Sequence, residues 1–386
     1  MPLVAVCAVW GVFWGVWGGL LPAVQRQIGG SLADLGLALV AIPIGAIPAM
    51  IFAGRLARGR ERPVLATVVA AFAMTVAALA VPATPGRLAV TLAAAGMASG
   101  ALDVCLNMAV ARAERTSGRR LFQKVHAAFP IAVVACAPLT GVARQAGVSP
   151  AVILIATALV VMGVGVTAAL RLPRTDHAPP GTQAPRPRAA ATGARTSGRW
   201  FWLGILGACI LVVENGVEQW SAVLLEDFRD APPAVASSAP AVYYLALTAG
   251  RLIIQSLPSV SLRRVVSVGA GVGGLAMAFA ATMPAAVPAL ACFALTGLAF
   301  GPLMPAMLAY AAGHDPDGAL VARVTTASYS GFVVSPLLVS LLHRWLALPA
   351  ALACLALFTL PLLAAAAVRQ FAPPRDTRAS HESREP

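Results

Sequence analysis

The chain has 386 residues, 59% of them apolar and only 11% charged, with a mean hydropathy of +0.81. Soluble domains carry about 25% charged residues, so this composition excludes a water-solvated fold and calls for lipid as the solvent of most of the surface. A formal net charge of +13 would suggest nucleic acid in a soluble protein. Here the basic residues, all Arg except Lys124, sit in short connectors between apolar blocks and are better read as topology signals.

A bilayer core of about 30 Å needs about 20 apolar residues per helix. Twelve runs meet this, at 3–24, 33–57, 63–83, 87–111, 125–146, 149–171, 200–225, 234–257, 264–283, 286–312, 319–342 and 346–368. The first lacks a basic leader and is followed by many more, so it reads as a helix and not a signal peptide. The abrupt start at Met1 points to a trimmed or misassigned N-terminus. Trp10, Trp14 and Trp17 follow i, i+4, i+7 spacing and share a face. Turned inward, that face would stack on a ring; turned outward, it would meet lipid or a neighbouring helix.

The fourth run holds Asp103 one turn before Asn107. An acid inside a span costs several kcal/mol unless paired or hydrated, so both residues are candidates for a polar cavity wall, with an interhelical hydrogen-bond network as the alternative. The second half offers apolar Met304 near the equivalent place. His126 opens the fifth run. The connector 172–199 is rich in Pro, Ala, Gly and Arg, lacks apolar periodicity and reads as a disordered linker. It divides the chain into a six-helix half at 1–171 and another at 200–370, followed by a polar tail at 371–386.

The seventh run carries Glu214 and Glu218, again four apart. Two carboxylates on one face of a low-dielectric site repel each other, and a carboxyl poised to bind and release a proton is what proton coupling requires. Asn215 adds a hydrogen-bonding group and Trp220 a wall or an interfacial anchor. In the eighth run Tyr243 and Tyr244 are weaker cavity candidates. Arg251 either pairs with neighbouring acids or an anionic solute, or snorkels to the surface. Tyr329 in the eleventh run is a further candidate wall residue.

Alternate connectors divide the basic residues unevenly. One set holds 22, the other only Arg26, Arg87, Arg144, Arg229 and Arg344, with Arg251 left inside a helix. The bias places both termini and the central linker in the cytoplasm and supports an even number of spans. The halves also echo each other: Ala53-Gly54-Arg55-Leu56 closes the second run and Ala249-Gly250-Arg251-Leu252 lies near the end of the eighth, while Gly100 and Gly301 mark small-residue stretches in the fourth and tenth. The six cysteines lie singly inside apolar runs, without the spacing of a metal or disulfide site. No GxxxxGK[ST] loop, HExxH pattern or soluble catalytic domain is present, so an enzyme, a cofactor and a metal are not expected.

Several segments carry a family resemblance: AGRLARGRERPVL from Ala53, GALDVCLNMAVARAERTSGRRLFQKVHAAFP from Gly100, ENGVEQWSAVLL from Glu214, TAGRL from Thr248 and VTTASYSGFVVSPLL from Val324. In these the sequence resembles the major facilitator superfamily, and over most of its length the fucose-permease-like branch. It departs where that superfamily usually places an acid in the loop after the second helix, with Arg58 there and Gln255 at the matching place of the second half. The resemblance implies twelve helices in two pseudo-symmetric halves and solute transport by alternating access. It also implies gating roles for His126 and for Arg55 against the start of the eleventh helix, near Asp317 and Arg323.

These readings combine into one expectation: a proton-coupled, monomeric secondary transporter of the bacterial plasma membrane. Glu214, Asp103 and Glu218 would carry protons, and Asn107, Asn215, Trp14, Trp17, Trp220 and Tyr329 would contact a small organic solute such as a sugar or polyol. Arg55, Arg251, His126, Asp317 and Arg323 would form the gates. Efflux of a drug or secondary metabolite by the same fold, and a non-transporting membrane sensor, are the rival readings.

Overall fold

A computed structural model of the chain describes residues 2–57, 59–119, 121–173, 198–257, 260–314 and 319–368. Most of the expected linker, the C-terminal tail, Arg58 and Asp317 lie outside these residues. The described chain is helical throughout, and eleven of its helices are long and apolar enough to cross a membrane. In chain order they are α1 (Pro2–Gln27), α2 (Leu32–Leu56), α3 (Glu61–Ala78), α4 (Pro85–Ser117), α5 (Phe122–Gln145), α6 (Pro150–Leu170), α7 (Gly198–Phe228), α8 (Ala239–Gln255), α9 (Leu262–Thr282), α10 (Ala286–Gly313), α11 (Arg323–Leu342) and α12 (Leu348–Ala367). The exception, α8, is 17 residues long and is extended by the short helical turn Pro233–Ala236 that precedes it.

Local sequence explains where these helices begin and end. Ser31 and Asp34 form a capping box at the start of α2, and Thr84-Pro85 and Ser149-Pro150 start α4 and α6 with a side-chain cap followed by proline at the first position. Gly118, at φ 64°, stops α4 in the left-handed conformation that glycine adopts without strain. Pro22, Pro43, Pro48, Pro138 and Pro336 lie inside spans, and α6 passes through a π-helical stretch at Val161–Val166. Two helices outrun their apolar segments. α4 continues to Ser117, where Arg112 pairs with Glu61 of α3 at 2.9 Å, and α7 continues to Phe228 because its acidic end is held by arginines from other helices.

Within each half the same pairs pack: α1 with α5, α2 with α4 and α3 with α6, repeated as α7 with α11, α8 with α10 and α9 with α12. The closest of these joints rest on glycine. A methyl group placed on Gly96 or Gly100 of α4 would strike the backbone of Ile42 or Ala46 on α2. Gly297 and Gly301 of α10 lie in the same way against Tyr243 and Leu247 of α8. Both are small-xxx-small pairs, the device by which helices in lipid approach backbone to backbone. Outward-facing Ile51, Phe52, Val90, Leu275 and Val287 are each more than half exposed, as lipid-facing side chains should be.

The halves meet along α2–α11, α5–α8 and α1–α7. One end of the bundle carries the α1–α2, α5–α6 and α7–α8 connections; we call it the charge-poor end. The opposite, basic end carries the α2–α3 and α4–α5 connections.

Candidate functional site

Midway through the bundle the two halves enclose a cavity of about 290 Å³, at the small end of the range for organic ligand sites. α1 contributes Trp10 and Trp14, α4 contributes Ser99 and Asp103, and α5 contributes Phe129. Asn215 and Glu218 come from α7, Tyr244 from α8, and Tyr329 and Phe332 from α11; α2 supplies an apolar floor between Leu39 and Met50. Helix periodicity explains the selection, since Trp10 and Trp14, Ser99 and Asp103, and Asn215 and Glu218 are each three or four residues apart.

Most polar groups of the wall are fixed by a neighbour. Trp10 Nε1 donates to Ser99 Oγ at 2.9 Å, tying α1 to α4. Tyr244 OH donates to Glu218 at 2.6 Å, tying α8 to α7. Asn107 Nδ2 donates to Asp103 Oδ1 at 2.9 Å, and Asn107 Oδ1 lies 2.8 Å from His126 Nε2, so Asp103, Asn107 and His126 form a hydrogen-bonded chain leading from the wall toward the basic end. Rings close the remainder: Phe129 meets Trp10 edge-on at 5.0 Å and Tyr244 at 6.3 Å, which joins the halves across the cavity.

The expected site residues divide into three groups. Asp103, Glu218, Asn215, Trp14 and Tyr329 line the cavity. Asn107, His126 and Glu214 lie just behind it. Glu214 stands one turn before Glu218 on α7, is 7% exposed, and its Oε1 has no hydrogen-bond partner among the described residues. His126 ends the short opening segment of α5, which begins at Phe122, and stacks on that ring at 4.7 Å.

Trp17 and Trp220 do not line the cavity. Both are buried, Trp17 stacked beside Phe13 at 6.2 Å. They lie closer to the charge-poor end, where α1 and α8 approach so nearly that Gly18 and Gly19 face Pro240 and Ser237. The shared face of α1 therefore turns from solute wall into interhelical packing within two turns.

The gating residues are dispersed as well. Among the described residues Arg251 makes no ion pair; its Nε donates to the Gly301 carbonyl at 3.0 Å, although it lies within electrostatic reach of Glu214 and Glu218. Arg55 is exposed in a shallow hollow between α2 and α4, beside Phe52 and Ala101. Arg323 is exposed too, and among the described residues neither it nor Arg55 makes an ion pair. Asp317 lies outside the described residues.

A second cluster, at the charge-poor end, escaped the sequence reading. Arg144 of α5 grips Glu226 of α7 with two bonds, at 2.8 and 2.6 Å, and also donates to the Gly19 carbonyl of α1 at 2.9 Å. Arg26 of α1 adds a bond to Glu226 and another to Asp227 at 2.8 Å. Ser237 donates to Gly19 O at 3.0 Å and Ser340 of α11 to Ala33 O at 2.7 Å. Gln145 Oε1 also accepts from the Ala234 N–H at 3.4 Å, so hydrogen bonds and ion pairs from four helices join the halves at this end. The available signal was that Arg26, Arg144, Glu226 and Asp227 all fall in the last turns of three spans.

Residues 3–312 match the family model of the Major Facilitator Superfamily. An uncharacterized MFS-type transporter of Yersinia pestis is 27% identical over 92% of both chains. Membrane protein MosC of Rhizobium meliloti is 23% identical over 84% of this chain and 79% of its own length. Among solved structures, the nucleoside transporter NupG superposes with a TM-score of 0.78 at 16% identity, covering 97% of this chain and 99% of that one. A D-xylose-proton symporter superposes at 0.70 with 13% identity, covering 96% and 98%. At such identities the structural likeness concerns the fold alone. The matched model spans most of the twelve-helix bundle, and the chain belongs to the major facilitator superfamily: it is a multi-pass membrane protein and a secondary transporter, not an enzyme.

Proposed function

We propose that this transporter moves a small organic solute through the central cavity by alternating access, coupled to protons carried by Glu214, Glu218 and Asp103. The observation that carries the reading is the placement of Asp103 and Glu218 on opposite halves of one central cavity, with Glu214 buried one turn behind. Ionisable groups inside spans mark solute and proton pathways, and a site between two repeats is where rocking halves expose a solute to each side in turn. The halves are bonded to each other at the charge-poor end, which supports a conformer closed on that side. With the basic end assigned to the cytoplasm, this conformer faces inward, both termini and the linker at 172–199 are cytoplasmic, and the membrane is the bacterial plasma membrane. The protein works as a monomer, its two halves supplying the whole cavity wall.

Reconstituted vesicles test the coupling. Glu214 does not line the cavity, so Glu214→Gln separates coupling from binding: pH-driven flux should vanish while counterflow exchange persists. Unchanged pH-driven flux in both Glu214→Gln and Glu218→Gln would remove the α7 carboxylates from the mechanism. The fucose-permease-like segments support a sugar or polyol, for which the rings supply stacking faces. Efflux is the second reading, favoured by six aromatic side chains against few polar ones in the wall. Transport into inverted vesicles under an imposed pH gradient separates the two.

A further inference from the structure

We infer that the solute of this cavity is a small organic cation bearing an apolar or ring face, such as a protonated or quaternary amine. The inference rests on the reading of the cavity as the transport site and adds its chemical preference. Two carboxylates, Asp103 and Glu218, reach the wall from opposite halves, and among the described residues no Arg, Lys or His lines it. The aromatic residues Trp10, Trp14, Phe129 and Tyr329 stand around them. Ring faces carry negative quadrupole density and attract cations most strongly where water is excluded.

Other charges nearby do not reverse this balance. Arg251 keeps its positive charge while donating Nε to Gly301 O and reaches both α7 carboxylates, but it is one cation against three acids, and His126 is separated from Asp103 by Asn107. Glu214 is buried beside Glu218 with one oxygen unpartnered, so a third acid adds to the same sign. An anionic solute meets repulsion here. A neutral polyol can still reach the second oxygens of Asp103 and Glu218, since Tyr244 and Asn107 each occupy only one oxygen, but it gains nothing from the charge of the two acids, which a cation does. A cation needs no free hydrogen bond: it takes its stabilisation from the two acids and the ring faces.

The test uses the full-length purified chain and three probes that share a benzyl group and differ in charge: benzyltrimethylammonium, benzyl alcohol and phenylacetate. Binding is read from ligand-dependent thermal stabilisation and from quenching of tryptophan fluorescence. Benzyltrimethylammonium should bind at least tenfold more tightly than either other probe. Asp103→Asn and Glu218→Gln should each weaken it at least tenfold, and Trp14→Ala severalfold, without lowering the ligand-free melting point comparably. The inference is overturned if the alcohol binds the unsubstituted chain as well as the cation does, if the cation does not bind, or if both acid variants bind it unchanged. Proton coupling fails separately: cation binding without pH-driven flux would sink the coupling and leave this preference standing, and pH-driven flux of neutral solutes alone would do the reverse.

Discussion

The two ends of the bundle use charge in opposite ways. At the charge-poor end, Arg26, Arg144, Glu226 and Asp227 converge on one junction between the halves. At the basic end, Arg55 and Arg323 are exposed, and Arg112 and Glu61 form an ion pair that stays within one half. The number of charges in a connector therefore says little about whether it joins the halves. The proposed topology accounts for the arginines of the basic end; the charge-poor end places its few charges where the halves meet.

That contrast can be broken at measurable points. Glu226→Gln should have the largest effect. Arg144 and Glu226 side chains are 5% and 9% exposed, and removing one member of a buried pair costs about 3 kcal/mol, on the order of 100-fold in a conformational equilibrium. In a chain stripped of its native cysteines, labelling of Ser238→Cys by an impermeant maleimide should rise accordingly; an unchanged rate would show that the pair does not hold the end shut. Ser237→Ala removes one buried hydroxyl bond to Gly19 and should cost about 1 kcal/mol, a roughly fivefold rise in the same labelling. Arg26→Ala should do least. Its side chain is half exposed, and exposed pairs contribute about 0.5 kcal/mol, so labelling should change by little more than a factor of two. A reversal of that order would place the closing energy on Arg26 instead of Arg144.

The spans were legible because apolar run length is a local property: the twelve runs match the helices to within about five residues at either end, apart from the six-residue overhang of α4, and α7 also outruns its run by three. Those overhangs depend on partners far along the chain, Glu61 for Arg112 and Arg144 for Glu226, which no window of sequence reveals. The cavity was half legible for the same reason. Asp103, Glu218 and Tyr329 announce themselves as polar groups inside apolar runs. Phe129, Phe332 and Ser99 look like ordinary packing residues until two halves are folded against each other. Spacing placed Trp14 and Trp17 on one face correctly, but only depth along α1 decides that one meets the cavity and the other the interior. Arg144 was counted as a topology charge because its partner is 82 residues away.

The glycine joints have a mechanical consequence. Gly96 and Gly100 press α4 against the main chain of α2, and Gly297 and Gly301 do the same between α10 and α8. Such contacts leave no side chain that could bend to absorb a change of tilt, so each pair must swing as one strut. In the proposed alternating-access cycle, Asp103 would then keep a fixed spacing to the α2 floor throughout. The width of the cavity would change across the line separating Asp103 from Glu218, and a solute held by both acids would feel the swing as a change in the gap between its two anchors.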